Sequence, residues 1–131
     1  MTDHTVKAFS EQLEGLSALV AQMGGLAEAQ MAAAIEAIAR RDSAAAETAV
    51  GGDARIDAIQ QEIEDRALKL LALRQPMAVD LRETLAAIKT AAELERIGDL
   101  AKNIAKRALV LNREPPIRLT QSLARMGRVA L

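Results

Sequence analysis

The chain has 131 residues, half of them hydrophobic, and its only aromatic residue is Phe9. A single modest core of Ala, Leu, Ile, Val and Met follows, which suits closely packed helices better than a sheet built on β-branched and aromatic residues. Lys plus Arg (17) nearly cancel Asp plus Glu (18), and a net charge of −1 supplies no bulk attraction to nucleic acid or to an anionic membrane.

Cysteine is absent, so there is no disulfide framework and no thiolate metal site. The opening residues carry no apolar signal core, and no run approaches the ~20 apolar residues that span a bilayer. The expectation is a soluble cytoplasmic protein with no direct membrane insertion.

Proline occurs only at Pro76, Pro115 and Pro116, leaving long stretches free of helix breakers. The first predicted helix runs from Thr5 to Arg40. Its apolar residues Phe9, Leu13, Leu16, Val20, Met23 and Ala27 step by alternating fours and threes, the period of a helix–helix seam. Asp42 is placed to cap a second helix from Ser43 to Leu73, with the glycines 51 and 52 tolerated inside it. Gln75-Pro76 ends that helix, because the residue before proline is pushed out of the α region. A third helix spans Ala78 to Asn112, where Arg113-Glu114-Pro115-Pro116 stops it. Similar lengths and short connections predict an all-α, antiparallel three-helix bundle over residues 1–112.

Residues 123–130 (Leu-Ala-Arg-Met-Gly-Arg-Val-Ala) match residues 20–27 (Val-Ala-Gln-Met-Gly-Gly-Leu-Ala) at four identical positions and two Val–Leu exchanges. Coming just after a Pro-Pro break, the match predicts that residues 113–131 are a linker and the truncated fourth helix of a second repeat.

Two helices change character along their length. The third carries the stripe Leu81, Leu85, Ile88, Ala92, Glu95, Asp99, followed by Asn103, which turns from apolar to acidic. A second stripe of Ala87, Thr90, Leu94, Ile97, Ala101, Ile104 and Ala108 stays largely apolar. The second helix does the reverse: Asp53, Asp57, Gln60, Glu64, Ala67 and Leu71 begin acidic, while Ile56, Ile59, Ile63 and Leu70 supply a core seam. Folded about the Pro76 turn, position i on one helix lies level with about 153 minus i on the other. Asp53 and Asp57 then share a level with Glu95 and Asp99. Carboxylates gathered that closely repel unless cations such as Arg55, Arg96 or Lys102 neutralise them, or a metal ion does. Asp and Glu oxygens with the Asn103 carbonyl nearby are hard ligands, suited to Mg, Mn or Fe and, less selectively, Zn. The alternative is a solvated acidic face on a structural helical oligomerisation module.

The segment Ala92-Glu93-Leu94-Glu95-Arg96-Ile97-Gly98-Asp99 closely resembles the signature of the PhoU family. Arg74-Gln75-Pro76, Asp80-Leu81-Arg82, the Met23-Gly24 region and Asp53-x-x-Ile56-Asp57 fit the same pattern, so the likeness spans essentially the whole chain. The resemblance implies the first of two tandem three-helix bundles, with metal-binding Glu/Asp-x-x-x-Asp motifs at Glu95/Asp99 and Asp53/Asp57. It further implies a negative regulator of phosphate uptake and phosphate-starvation signalling. Such a regulator couples the ATPase subunit of a phosphate ABC transporter to a sensor histidine kinase, and a homo-oligomer is expected.

No enzyme is expected. His4 is the only histidine and sits near a terminus, no Glu-x-x-His pair of the di-iron type is present, and no Gly-rich phosphate loop occurs. Arg40-Arg41 reads as a charge pair at a helix C-terminus. Asp80 reads as a flank of the third helix, and Arg74 and Arg82 as solvated side chains near the turn.

Overall fold

The computed structural model describes residues 3–73, 78–115 and 125–128. Four helices follow one another: α1 (Asp3–Ala39), α2 (Ser43–Gly51), α3 (Asp53–Leu73) and α4 (Ala78–Leu111), with no strand among the described residues. The all-α bundle expected from the composition is the fold observed. His4 belongs to the first turn of α1.

The seam predicted for α1 is its packing face. Leu16, Met23 and Ala27 are fully buried, and the line continues through Gln30, Ala34 and Ala37. The helix ends at Ala39, and two residues on stands Arg41, the one non-glycine residue with positive φ (52°) among those described. The Asp42 amide then reaches back to the Ala37 carbonyl at 3.1 Å, the six-to-one bond of a Schellman C-cap. Asp42 caps α2 as expected, its side chain accepting from the Ala45 amide at 3.1 Å.

The continuous helix predicted from Ser43 to Leu73 is instead two helices, broken at Gly52. The backbone there stays right-handed (φ −68°, ψ −17°), so the break lies in the hydrogen-bond ladder and not in helical sense. Its cause is visible on α1. The Ala49 carbonyl would receive the Asp53 amide in an unbroken helix, and it instead accepts from the buried Gln30 side chain at 2.6 Å.

Contacts fix the helix directions. Asp53 on α3 meets Lys102 on α4, and a β-carbon on Gly98 would touch Ile56, so these two helices run antiparallel within two residues of the expected level. Gly15 lies against Arg66 and Gly24 against Leu94, which sets α1 antiparallel to α3 and alongside α4 in the same direction.

The core has two sections. One joins Leu16, Met23 and Ala27 to Ile56, Ile59, Ile63, Ala67, Leu70 and Ala91. In the other, the fully buried side chains among the described residues are alanines, Ala34, Ala37, Ala46, Ala49, Ala101, Ala105 and Ala108, with Met31, Ile38, Val50, Ile104 and Leu109 packed around them. The α4 face that makes these contacts is lined by small residues: Thr84, Ala91, Gly98, Ala101, Ala105 and Ala108. That corrects the stripe expected there, since Thr90 and Ile97 are exposed and Leu81 and Leu85 are too. Close helix approach selects small side chains for the contact line, and a search for large apolar residues overlooks them.

Residues 125–128 form a helical turn, and a β-carbon on Gly127 would lie 2.8 Å from Ile35, so this turn sits directly on α1. The remainder of the predicted fourth helix, and the Arg74-Gln75-Pro76 turn, fall outside the described residues.

Candidate functional site

The acidic residues lie where the apolar and alanine sections of the core meet, and three local features put them there. The break at Gly52 makes Asp53 the first residue of α3, where an N-terminal helix dipole favours a carboxylate. Asp57 follows one turn later. On α4, Gly98 leaves room for Gln30 Oε1 and Ile56, whose atoms would stand 3.1 and 3.2 Å from a β-carbon at that position. Glu95 and Asp99 flank this glycine on α4.

Asp53 is only 8% exposed. Its Oδ2 accepts a hydrogen bond from Lys102 Nζ at 3.1 Å, while its Oδ1 is buried with no hydrogen-bond partner. Gln30 Oε1 is likewise buried and unpartnered. Asp57 and Asp99 are exposed and Glu95 is half-buried.

Burial first, then repulsion from Asp53 and Asp99, raises the Asp57 carboxyl above the ordinary aspartate range, with Lys102 opposing the shift. Burial first, then Asp57 and Asp99, raises Glu95 as well. Lys102 is raised mainly by its hydrogen bond to Asp53, with Asp99 and Asp57 adding to it. Asp53 and Asp57 on α3 and Glu95 and Asp99 on α4 make up an acidic patch, with Lys102 bonded to Asp53.

The other residues singled out in the sequence lie elsewhere. Asn103 is exposed one turn beyond Asp99 and lines a surface groove with Lys106, Arg107, Val110 and Leu111. Arg96 pairs with Glu93 on its own helix at 3.7 Å, and Arg55 and Arg82 are exposed. Asp80 lies in the first turn of α4, where its carbonyl accepts from the buried Thr84 hydroxyl at 2.8 Å.

Arg40 bonds Glu36 at 3.0 Å, but Arg41 does not serve the C-terminus of its own helix. Its guanidinium donates to the Asn112 and Glu114 carbonyls, at the end of α4. Sequence reasoning also missed Gln30. A polar residue continuing the Leu16–Met23–Ala27 seam was the signal that could have found it.

All-oxygen donors and an orphaned, buried carboxylate oxygen fit a hard cation in their chemistry. Their present arrangement does not close around one: among the described residues, no three His, Cys, Asp or Glu side chains gather in a metal-holding group. Lys102 already occupies Asp53.

Residues 20–108 match the PhoU domain, a span that takes in the Gly52 break, the four carboxylates and Lys102. The chain belongs to the PhoU family. It is 55% identical over 130 residues to the phosphate-specific transport system accessory protein PhoU homolog of Caulobacter vibrioides (strain NA1000 / CB15N), covering 98% of this chain and 56% of that protein. The PhoU homolog of Xylella fastidiosa (strain Temecula1 / ATCC 700964) is 44% identical over 127 residues, covering 97% and 52%. That of Rhizobium meliloti (strain 1021) is 40% identical over 129 residues, covering 98% and 54%. The chain thus spans about half the length of the curated PhoU relatives it matches. Among the described residues, no PhoU-domain helix is long and apolar enough to cross a membrane.

Proposed function

We propose that this chain is the first repeat of a cytoplasmic accessory regulator of phosphate transport, acting by protein contact and not by catalysis. Support comes from relatives named as accessory proteins of a phosphate-specific transport system, matched along nearly the whole of this chain. In this reading it restrains phosphate uptake and the phosphate-starvation response. It does so by contact with the transporter's ATPase subunit and a sensor histidine kinase, as part of a homo-oligomer. Residues 113–131 lead into a second repeat, a reading supported by the recurring Ala-x-Met-Gly and by the close seat of Gly127 on Ile35.

The chemical part is supported by Asp53 Oδ1, buried and unpartnered, with Asp57 one turn on along α3 and Glu95 and Asp99 on the neighbouring stretch of α4. These side chains would hold a divalent or trivalent metal ion such as Mg, Mn, Fe or Zn, with Asn103 the nearest further oxygen donor along α4. A bound ion would neutralise the patch and fix α3 against α4 at the Gly52 break. The patch would then present one defined surface to a partner.

Deleting the gene should derepress phosphate-uptake genes in phosphate-replete medium, and complementation with E95A/D99A should restore repression only partly. Unchanged expression in the deletion strain would overturn the regulatory reading. A second reading, a metal-free structural module, is favoured by one observation: Lys102 already neutralises part of the patch. Elemental analysis of the purified chain beside E95A/D99A separates the two.

A further inference from the structure

Charge is unevenly spread along the chain. Residues 100–131 hold seven Lys and Arg residues against one acidic residue, Glu114, although the chain as a whole is nearly neutral. Lys102, Lys106, Arg107, Arg113, Arg125 and Arg128 lie among the described residues, and there Lys102 alone of them forms an ion pair.

The second half of α4 also carries a line at helix-seam spacing. Ile97, Leu100, Ile104, Arg107 and Leu111 step by threes and fours. Ile97, Leu100, Arg107 and Leu111 are exposed and Ile104 is half-buried. This line is distinct from the small-residue line of Gly98, Ala101, Ala105 and Ala108 that packs into the bundle. Along its end runs a groove of about 650 Å³ lined by Asn103, Lys106, Arg107, Val110 and Leu111, with Val110 60% exposed.

Three features of this face define what fits it. A line at three-and-four spacing accepts another helix whose apolar residues repeat at the same interval. Lys106 and Arg107 favour carboxylates at the groove, and a guanidinium takes one through two parallel hydrogen bonds. Arg107 also stands within the apolar line itself. A bilayer penalises a charge placed there, whereas a helix with a carboxylate opposite uses it to fix register.

We propose that the Ile97–Leu111 face of α4 docks an acidic amphipathic helix of a protein partner, its apolar residues on Leu100, Ile104 and Leu111 and a carboxylate on Arg107. This assignment rests on the protein-contact reading above and names the surface that makes the contact. It requires neither the acidic patch nor a bound ion.

The test is fluorescence anisotropy of a labelled synthetic helix of about three heptads, with leucine at positions a and d except for one central glutamate. Glutamate at its e and g positions keeps it from pairing with itself. Wild type, R107E, L100S and K89E are titrated against it as purified chains, with helicity checked by circular dichroism. R107E should bind about tenfold more weakly than wild type, and L100S about threefold more weakly. K89E makes the same charge reversal on α4 outside the groove and should stay within about twofold of wild type. A peptide with lysine as its central residue should restore R107E to within about threefold of the wild-type pairing.

No binding by wild type, equal binding by R107E, or no rescue by the lysine peptide would overturn the assignment. Sedimentation of the chain with phosphatidylserine vesicles, in place of peptide binding, would give the face to a membrane and overturn it too. Derepression in the deletion strain alongside any of these failures would remove this surface alone and leave the regulatory reading standing.

Discussion

At Gly98 a β-carbon would stand 3.1 Å from Gln30 Oε1 and 3.2 Å from the Ile56 side chain, with both neighbours held in the core. Gly98→Val should therefore destabilise the chain by about 1–3 kcal/mol in urea unfolding, through overpacking that no helix-propensity gain offsets. Gly25 lies in mid-helix with nothing within 4 Å of its added β-carbon. Gly25→Ala should stabilise by up to about 1 kcal/mol. The contrast shows what a sequence conveys at this scale. Both glycines interrupt a helical pattern and look equally costly, and only the neighbours supplied by two other helices distinguish them.

The carboxyls of the patch also titrate at residue scale. Asp57 and Glu95 have raised values in the folded chain, so the native state holds more protons than the unfolded one above about pH 4, the ordinary carboxylate range. Their contribution to stability is present at and below that range and is lost as pH rises through the raised values. Without divalent ions, Asp57→Asn should be more stable than wild type near neutral pH, and urea midpoints of the two should draw together on acidification. A gap that widens toward low pH would show the shifts to have the opposite sign.

Among the elements, the α1–α2 junction and the end of α4 behave as one unit. Arg41 holds a left-handed backbone, unfavourable for a side-chain-bearing residue by roughly 1–2 kcal/mol, while its guanidinium serves carbonyls at the end of α4. Asn112 reinforces the link through the Ser43 hydroxyl at 3.2 Å. Arg41→Ala keeps the backbone strain and loses the capping bonds, so it should destabilise by about 1–2 kcal/mol. Arg41→Gly loses the same bonds but relieves the strain, and its urea midpoint should lie above that of Arg41→Ala.

Helix ends were largely legible because they are local. Asp42 as a cap and the stop just short of Asn112 follow from residues within one turn. The Gly52 break was not, because its cause is Gln30 on another helix. Nor was the service of Arg41 to α4, some seventy residues along the chain.

Over the whole molecule, the antiparallel order of α3 and α4 and their relative level could be read from spacing alone, since both depend on helical rise and on one proline-marked turn. The narrow contact line of α4 could not, because alanine and glycine carry little hydrophobic signal even where they decide how closely helices approach. The division between an apolar core section and an alanine one is the large-scale result, and the acidic patch occupies the boundary. A cation bound there, as proposed above, would join α3 to α4 without adding apolar contact. At about a hundred times its dissociation constant it should stabilise the chain by about 2.7 kcal/mol, raising the thermal midpoint by on the order of 10 °C.

The most direct measurement is anomalous diffraction from a crystal soaked in Mn²⁺. The account predicts a peak bounded by the carboxylates of Asp53, Asp57, Glu95 and Asp99. An empty patch with Lys102 still on Asp53, in a crystal whose Mn²⁺ lies elsewhere, would contradict it.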